Sequence, residues 1–318
     1  MDAARDRATG EIVSGVELWL LDHVDKAGYE CRGCGVPLNP VSFERGLKRR
    51  PHFKLFEGTS HEDGCDVEVL NDLKKRARYE PVSRPDGFPV SHPNRLVLLE
   101  KQEIVRSPRR IDADGDAASG WKNSSRSAPD PSAARRKRHN WIARTIRPLV
   151  RHHMQFPHDR HLPLHVPGVD GRTFRHVFKK LFYLPDVRFP DPRIYYGSLH
   201  LRRSIEGDGF VDVWLSQGEW DRSRNPRVLV HPYVVRIHTA DWSERKRNYV
   251  LDEIDVAREE ARVAVHSGDS ETRAWLFFLS RQDTEDRFLF HVDDHRLICC
   301  EAGTLISGAG AGSGTSSS

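Results

Sequence analysis

Cysteine is scarce in this chain. Five occur in 318 residues, too few for the dense, even-numbered disulfide framework of a small secreted scaffold. No apolar run is long enough to span a bilayer, so no membrane partner is expected. The first residues, Met-Asp-Ala-Ala-Arg-Asp-Arg, lack an apolar signal segment, which points to a cytoplasmic location. There is no P-loop, no G-x-G-x-x-G after a strand, no G-x-S-x-G and no kinase signature. Hydrophobic residues are also sparse, 37% against 30% charged, with a mean hydropathy of −0.63. Part of the chain is therefore expected to stay unfolded. Net charge is only +4, so the whole-chain balance selects no partner.

What is present is concentrated. Cys31 and Cys34 form a C-x2-C in Tyr-Glu-Cys-Arg-Gly-Cys-Gly, and His61 and Cys65 form an H-x3-C about thirty residues later. The glycines let backbone N–H groups turn toward the sulfurs. Two short-spaced pairs joined by a compact loop suit a closed, tetrahedral Zn²⁺ site of three thiolates and one imidazole. His52, beside Phe53 in the same loop, competes with His61. The spacing favours His61, since His and Cys four apart share one side of a helical turn. A catalytic zinc keeps a position open for water, whereas four protein ligands close the shell. The expected metal is thus a structural zinc, and its removal is expected to unfold residues 15–70 while the C-terminal part stays folded.

The sequence Tyr-Glu-Cys-Arg-Gly-Cys-Gly, then Arg-Pro-His-Phe, then His-x3-Cys resembles the N-terminal zinc-binding module of CoiA-like competence proteins. The resemblance covers residues of about 15–70. It implies a link to the handling of incoming DNA, often with a restriction-like nuclease domain following. The nearest match to such a nuclease is Asp86 followed by Glu100-Lys101-Gln102, an acid and then E-x-Q on a strand, where such nucleases carry E-x-K or E-x-Q. An ordinary charged strand accounts for the same residues, and no nuclease core is evident in the last 180 residues.

The expected class is α+β. Residues 10–80 read as a zinc-ribbon-like module, with a β-like run at 16–24 and a short helix at 66–78 carrying Val67, Leu70 and Leu73 at helical spacing. A strand is expected at 95–105 within a connecting region, 81–105. Residues 106–134, rich in Ser, Ala, Asp, Arg and Pro, read as a disordered linker. Residues 135–190 read as a basic helical segment, with helices around Trp141–Val150 and over 173–184. Residues 191–302 give strand, strand, strand, long helix at 242–265, strand, strand, with a further short strand at 297–300. Five strands with a helix between the third and fourth is the order of an OB-fold, a small barrel. Residues 303–318 read as a flexible tail.

Positive charge gathers in one stretch. From Arg135 to Lys180 there are twelve Lys and Arg against two Asp, with seven His. Arg136, Arg138, Arg144, Arg147 and Arg151 would lie along a helix and could contact phosphates, although a merely solvated face explains them equally. His152, His153, His158, His161 and His165 lack metal-ligand spacing and read as part of this basic surface. Strand alternation separates Tyr195, Leu199 and Leu201 from Tyr196, His200 and Arg202. It likewise separates Val211, Val213 and Leu215 from Phe210, Asp212 and Trp214. The faces bearing Tyr196, Arg202 and Trp214 mix aromatic and basic groups, as single-strand-binding platforms do. Packing against the helices is the competing role for Tyr196 and Trp214. Cys299 and Cys300 are expected to alternate across a strand. The functional expectation is a non-enzymatic protein that binds single-stranded DNA or RNA in DNA handling or phage defence. A Mg²⁺-dependent nuclease using Asp86 and Glu100, and a zinc-bearing adaptor for a protein partner, are the alternatives.

Overall fold

The computed structural model describes residues 1–44, 49–98, 140–200, 204–221 and 223–306. The chain begins with a five-stranded antiparallel sheet. Its strands are β1 (Ala3–Asp6), β2 (Ile12–Ser14), β3 (Tyr29–Glu30), β4 (Pro37–Val41) and β5 (His52–Leu55), ordered β2-β1-β3-β4-β5. The run expected to be a strand at 16–24 instead forms a 3₁₀ helix, Gly15–Leu20. A capping box starts it: the Ser14 N–H donates to the Glu17 carboxylate at 2.6 Å. The short helix after the second ligand pair is α1 (Asp66–Arg76), acidic in its first turn and basic in its last, as the helix dipole favours.

The helical segment is less helical than expected. β6 (Pro93–Leu96) pairs in parallel with β7 (Trp141–Ala143), and α2 (Arg147–Gln155) follows with Pro148 in its first turn. The helix expected over 173–184 stops after one turn, α3 (Phe174–Val177), and continues as β8 (Phe178–Lys180). A parallel partner strand decides this: Phe178 pairs with Ile194 and Lys180 with Tyr196. An apolar spacing of three and four cannot reveal that strand. His152 and His153 are not surface residues. Both are buried, His152 against Phe156 and Phe174, and His153 stacked on Phe178 at 4.1 Å between ring centroids.

The C-terminal strands are β9 (Arg193–Ser198), β10 (Ile205–Gly207), β11 (Phe210–Asp221), β12 (Val228–His238), β13 (Arg273–Ser280), β14 (Leu289–Val292) and β15 (Ile298–Gly303). The long helix is α4 (Glu244–His266), capped by Ser243, whose hydroxyl accepts the Lys246 N–H. These strands form two four-stranded sheets, β10-β11-β12-β14 and β15-β13-β9-β8, and no closed barrel among the described residues. The barrel expectation fails because β14 joins β12 in parallel, which sends the chain after α4 into both sheets.

Two large cores share the second of these sheets. On one face Tyr195, Leu276 and Phe278 meet Val211, Val213, Val235 and Ile237 of the first sheet, together with Val250, Ile254 and Ala257 of α4. On the other, Ile194, Tyr196, Phe277 and Cys299 meet α2, α3 and the segments around them. Cys299 and Cys300 therefore enter opposite cores, as strand alternation requires. The N-terminal module is not isolated. Val16 and Trp19 belong to the first core, and Leu73 and Ala77 of the α1 region to the second.

Candidate metal centre and charged surfaces

Cys31 directly follows β3, and the chain turns sharply back at Gly35, whose φ of 78° is left-handed and whose N–H donates to the Cys31 carbonyl at 2.8 Å. The Gly33 N–H faces the Cys31 sulfur at 3.4 Å. A side chain at Gly33 would place its Cβ 2.8 Å from the Cys65 sulfur, so only glycine lets the knuckle close over α1. Cys65 precedes the first turn of α1, and the Glu68 and Val69 N–H groups donate to its carbonyl. His61 stands four residues earlier in the same turn region.

These placements bring the four side chains together. The ligand atoms of Cys31, Cys34, His61 and Cys65 all lie within 4.8 Å of one another. Cys31 Sγ is 3.6 Å from Cys65 Sγ. His61 Nδ1 is 3.3 Å from Cys34 Sγ and 3.6 Å from Cys65 Sγ. A tetrahedral zinc with bonds of about 2.3 Å to sulfur and about 2.0 Å to nitrogen separates its ligands by roughly 3.8 Å and 3.5 Å. These three separations match to within a few tenths of an ångström, and all four residues lie close enough to hold a metal ion. The donor set of three thiols and one imidazole is compatible with zinc. No disulfide links these cysteines. His52 is excluded from the cluster: its Nδ1 lies 3.1 Å from the Arg50 carbonyl.

The protein groups alone divide the thiols. Burial pushes Cys65 up to about 12, reinforced by the neighbouring sulfurs. Burial also opposes ionisation of Cys34, but hydrogen bonds from His61 and from the Val36 and Glu62 backbone outweigh it and bring this thiol down to about 6. A cation at the centre would favour the thiolate at all three sulfurs, so metal binding releases protons.

The basic residues of α2 do not form a solvent-facing stripe. Arg147 is 1% exposed and forms ion pairs with Glu253 of α4 and with Glu301, the latter at 2.5 Å. Burial disfavours its charge, but Glu253, Tyr249 and Glu301 more than compensate and hold it well above the ordinary arginine value. Arg151 joins Glu301 at 2.8 Å, and Arg50 bridges Glu260 at 2.9 Å while donating to the Cys300 carbonyl. Against the cost of burial, Arg151, Arg50 and Arg147 together bring the Glu301 carboxyl down to about 2. This network ties the N-terminal module, α2, α4 and β15 together. Arg147 is thus a buried strut and not a phosphate contact. Arg144 remains half-exposed, paired with Glu11 at 3.1 Å.

Tyr196 is likewise buried, its ring stacked 5.1 Å from Phe277, and does not serve as a platform. Trp214 is different. It lies half-buried on the outer face of the first C-terminal sheet, 6.2 Å from the His200 ring. Phe210 and Arg236 share that face, with the guanidinium 4.4 Å from the ring centroid and bidentate to Asp212. Sequence reasoning missed Arg236, His238 and His291 on this face, because the parallel pairing of β14 with β12 is not written in strand alternation. Arg136, Arg138, Arg202 and Glu100 lie outside the described residues. Asp86 sits in a turn closed by the pairing of Arg84 with Gly87. No helix of the described chain is long and apolar enough to cross a membrane. No protein-family model, curated protein or solved structure matches this chain.

Proposed function

We propose that this chain is a nucleic-acid-binding protein. In this reading a structural zinc on Cys31, Cys34, His61 and Cys65 fixes the N-terminal module, and the outer face of β10-β11-β12-β14 takes single-stranded DNA or RNA. One observation carries the reading. Along β11 and β12 the residues alternate between buried and half-exposed, and the half-exposed set includes Phe210, Trp214, Arg236 and His238. Rings beside cations on an open sheet can stack bases and meet phosphates, as OB-fold faces do without requiring that fold. The resemblance of residues of about 15–70 to CoiA-like modules fits the same reading.

The test is a fluorescence-anisotropy titration of labelled single-stranded DNA and RNA at two salt concentrations. Binding should weaken with salt. Trp214→Ala should weaken it further by about 1–3 kcal/mol, the usual worth of one base stacked on an aromatic ring. An unchanged affinity in that variant, or no binding at either salt, overturns the reading. A second reading, a docking surface for a protein, rests on the far end of the β11–β12 hairpin. There Trp220, Val228 and Val230 are each more than 40% exposed. That reading gains if nucleic acid fails to bind.

A further inference from the structure

A cleft of about 310 Å³ lies between the metal-bearing module and α2, near the lower bound for small-molecule sites and suited to one nucleotide. The knuckle supplies Arg32 to one wall, and α1 supplies Asn71 and Lys74; β7 and α2 supply Trp141, Arg151 and His152 to the other. Two carboxylates also line it, but both are engaged: Asp2 pairs with Arg151 at 3.7 Å and Glu17 accepts the Ser14 N–H. Arg147 and Arg151 are engaged by Glu301, and Arg144 by Glu11. Arg32 and Lys74 have no ion-pair partner among the described residues. Their charges face a shared space. Burial lowers the Lys74 ammonium from its ordinary value; Asp2 opposes this, while Arg151 and Arg32 add to it.

The cleft also holds unpartnered hydrogen-bonding groups. The Trp141 indole N–H and His152 Nε2 are buried, border the cleft and have no partner among the described residues. His152 itself is 6% exposed. Buried polar groups are normally paired, so these mark where an acceptor or donor belongs. The Arg32 guanidinium stands 5.8 Å from the Trp141 ring centroid, placing a planar fork beside an aromatic face.

We propose that this cleft binds a phosphorylated nucleoside, with the phosphate between Arg32 and Lys74 and the base against Trp141. Two cations from separate elements, neither held in an ion pair among the described residues, suit a multiply charged oxyanion, and the guanidinium fork suits phosphate oxygens. The indole supplies a stacking face and a donor. The ligand can be a free nucleotide or the phosphorylated end of a strand, and its binding does not depend on the outer sheet face.

Isothermal titration of the full chain tests this with AMP, adenosine, inorganic phosphate, and an oligonucleotide with either a 5′-phosphate or a 5′-hydroxyl. AMP or the 5′-phosphorylated strand should bind saturably; adenosine and inorganic phosphate should bind at least tenfold more weakly than AMP, and, in the Trp214→Ala variant that weakens the outer face, the 5′-hydroxyl strand at least tenfold more weakly than the 5′-phosphorylated one. AMP binding identifies a free nucleotide as ligand, whereas binding of the phosphorylated strand alone identifies a strand end. Lys74→Glu should weaken binding at least tenfold. Asn71→Asp, at an exposed position on the same wall, should also weaken it and serves if Lys74→Glu fails to fold. Trp214→Ala should leave the binding of AMP unchanged. Absence of saturable binding, equal binding of inorganic phosphate and AMP, or full affinity in a folded Lys74→Glu variant overturns the proposal.

Discussion

Replacing Arg147 by alanine separates a buried strut from a surface phosphate contact. The guanidinium is 1% exposed and pairs with Glu253 and Glu301. In the variant Glu301 keeps Arg151 and has Arg50 nearby. Glu253 is also buried and loses the one ion-pair partner it has among the described residues, although it still accepts the Cys300 N–H. Leaving one buried charge without its partner costs about 3–5 kcal/mol. That is a large part of the roughly 5–15 kcal/mol that stabilises a typical fold. At about 2 °C per kcal/mol for a chain of this size, the melting temperature should fall by about 6–10 °C. Differential scanning calorimetry at neutral pH reads this directly. The paired variant Arg147→Met with Glu253→Leu removes both charges and should recover most of the loss. A melting temperature within about 2 °C of the parent in Arg147→Ala, together with a weakened affinity for nucleic acid, would refute the buried network and restore the surface reading.

Other consequences follow from the same geometry. Gly33→Ala should lower zinc affinity about tenfold or more in a chelator competition, because its Cβ would press on the Cys65 sulfur. Gly35→Ala meets no neighbouring atom but forces φ of 78° on alanine, so it should cost about 1–2 kcal/mol of stability and leave the sulfurs in place. Burial holds His153 neutral well below its ordinary value. Above a pH of about 6.5 it is neutral in folded and unfolded chains alike. Below that pH the unfolded chain takes up a proton that the fold refuses, so stability is lost as pH falls. His153→Phe, which can keep the stack on Phe178, should show a smaller drop in melting temperature between pH 7 and pH 5; an unchanged drop contradicts this assignment. Chelation of the metal should disorder the knuckle, and it should also lower the stability of the rest of the chain, because Val16, Trp19 and Arg50 are anchored there.

Local chemistry was legible in the sequence wherever it was written in short spacings. The C-x2-C and H-x3-C pairs placed Cys31, Cys34, His61 and Cys65 together, and helical spacing located Val67 and Leu73 on the buried face of α1. Strand alternation separated Val211, Val213 and Leu215, which are buried, from Trp214, which lies half-buried on the other face. What sequence could not show depends on long-range pairing. Parallel contacts of β8 with β9 and of β12 with β14 converted an expected helix into a strand and an expected barrel into two sheets. Charge was the least legible property. Arg147 and Arg144 look alike in sequence, but Glu253 and Glu301, more than a hundred residues away, draw one of them into the interior.

The most direct test of the account is the metal content of the purified chain, measured by inductively coupled plasma mass spectrometry. The paired geometry predicts one zinc per chain, lost on replacement of Cys34 or Cys65 by serine and retained when His52 becomes alanine. A chain that folds without stoichiometric metal, or one that keeps its zinc in the Cys65→Ser variant, would contradict it.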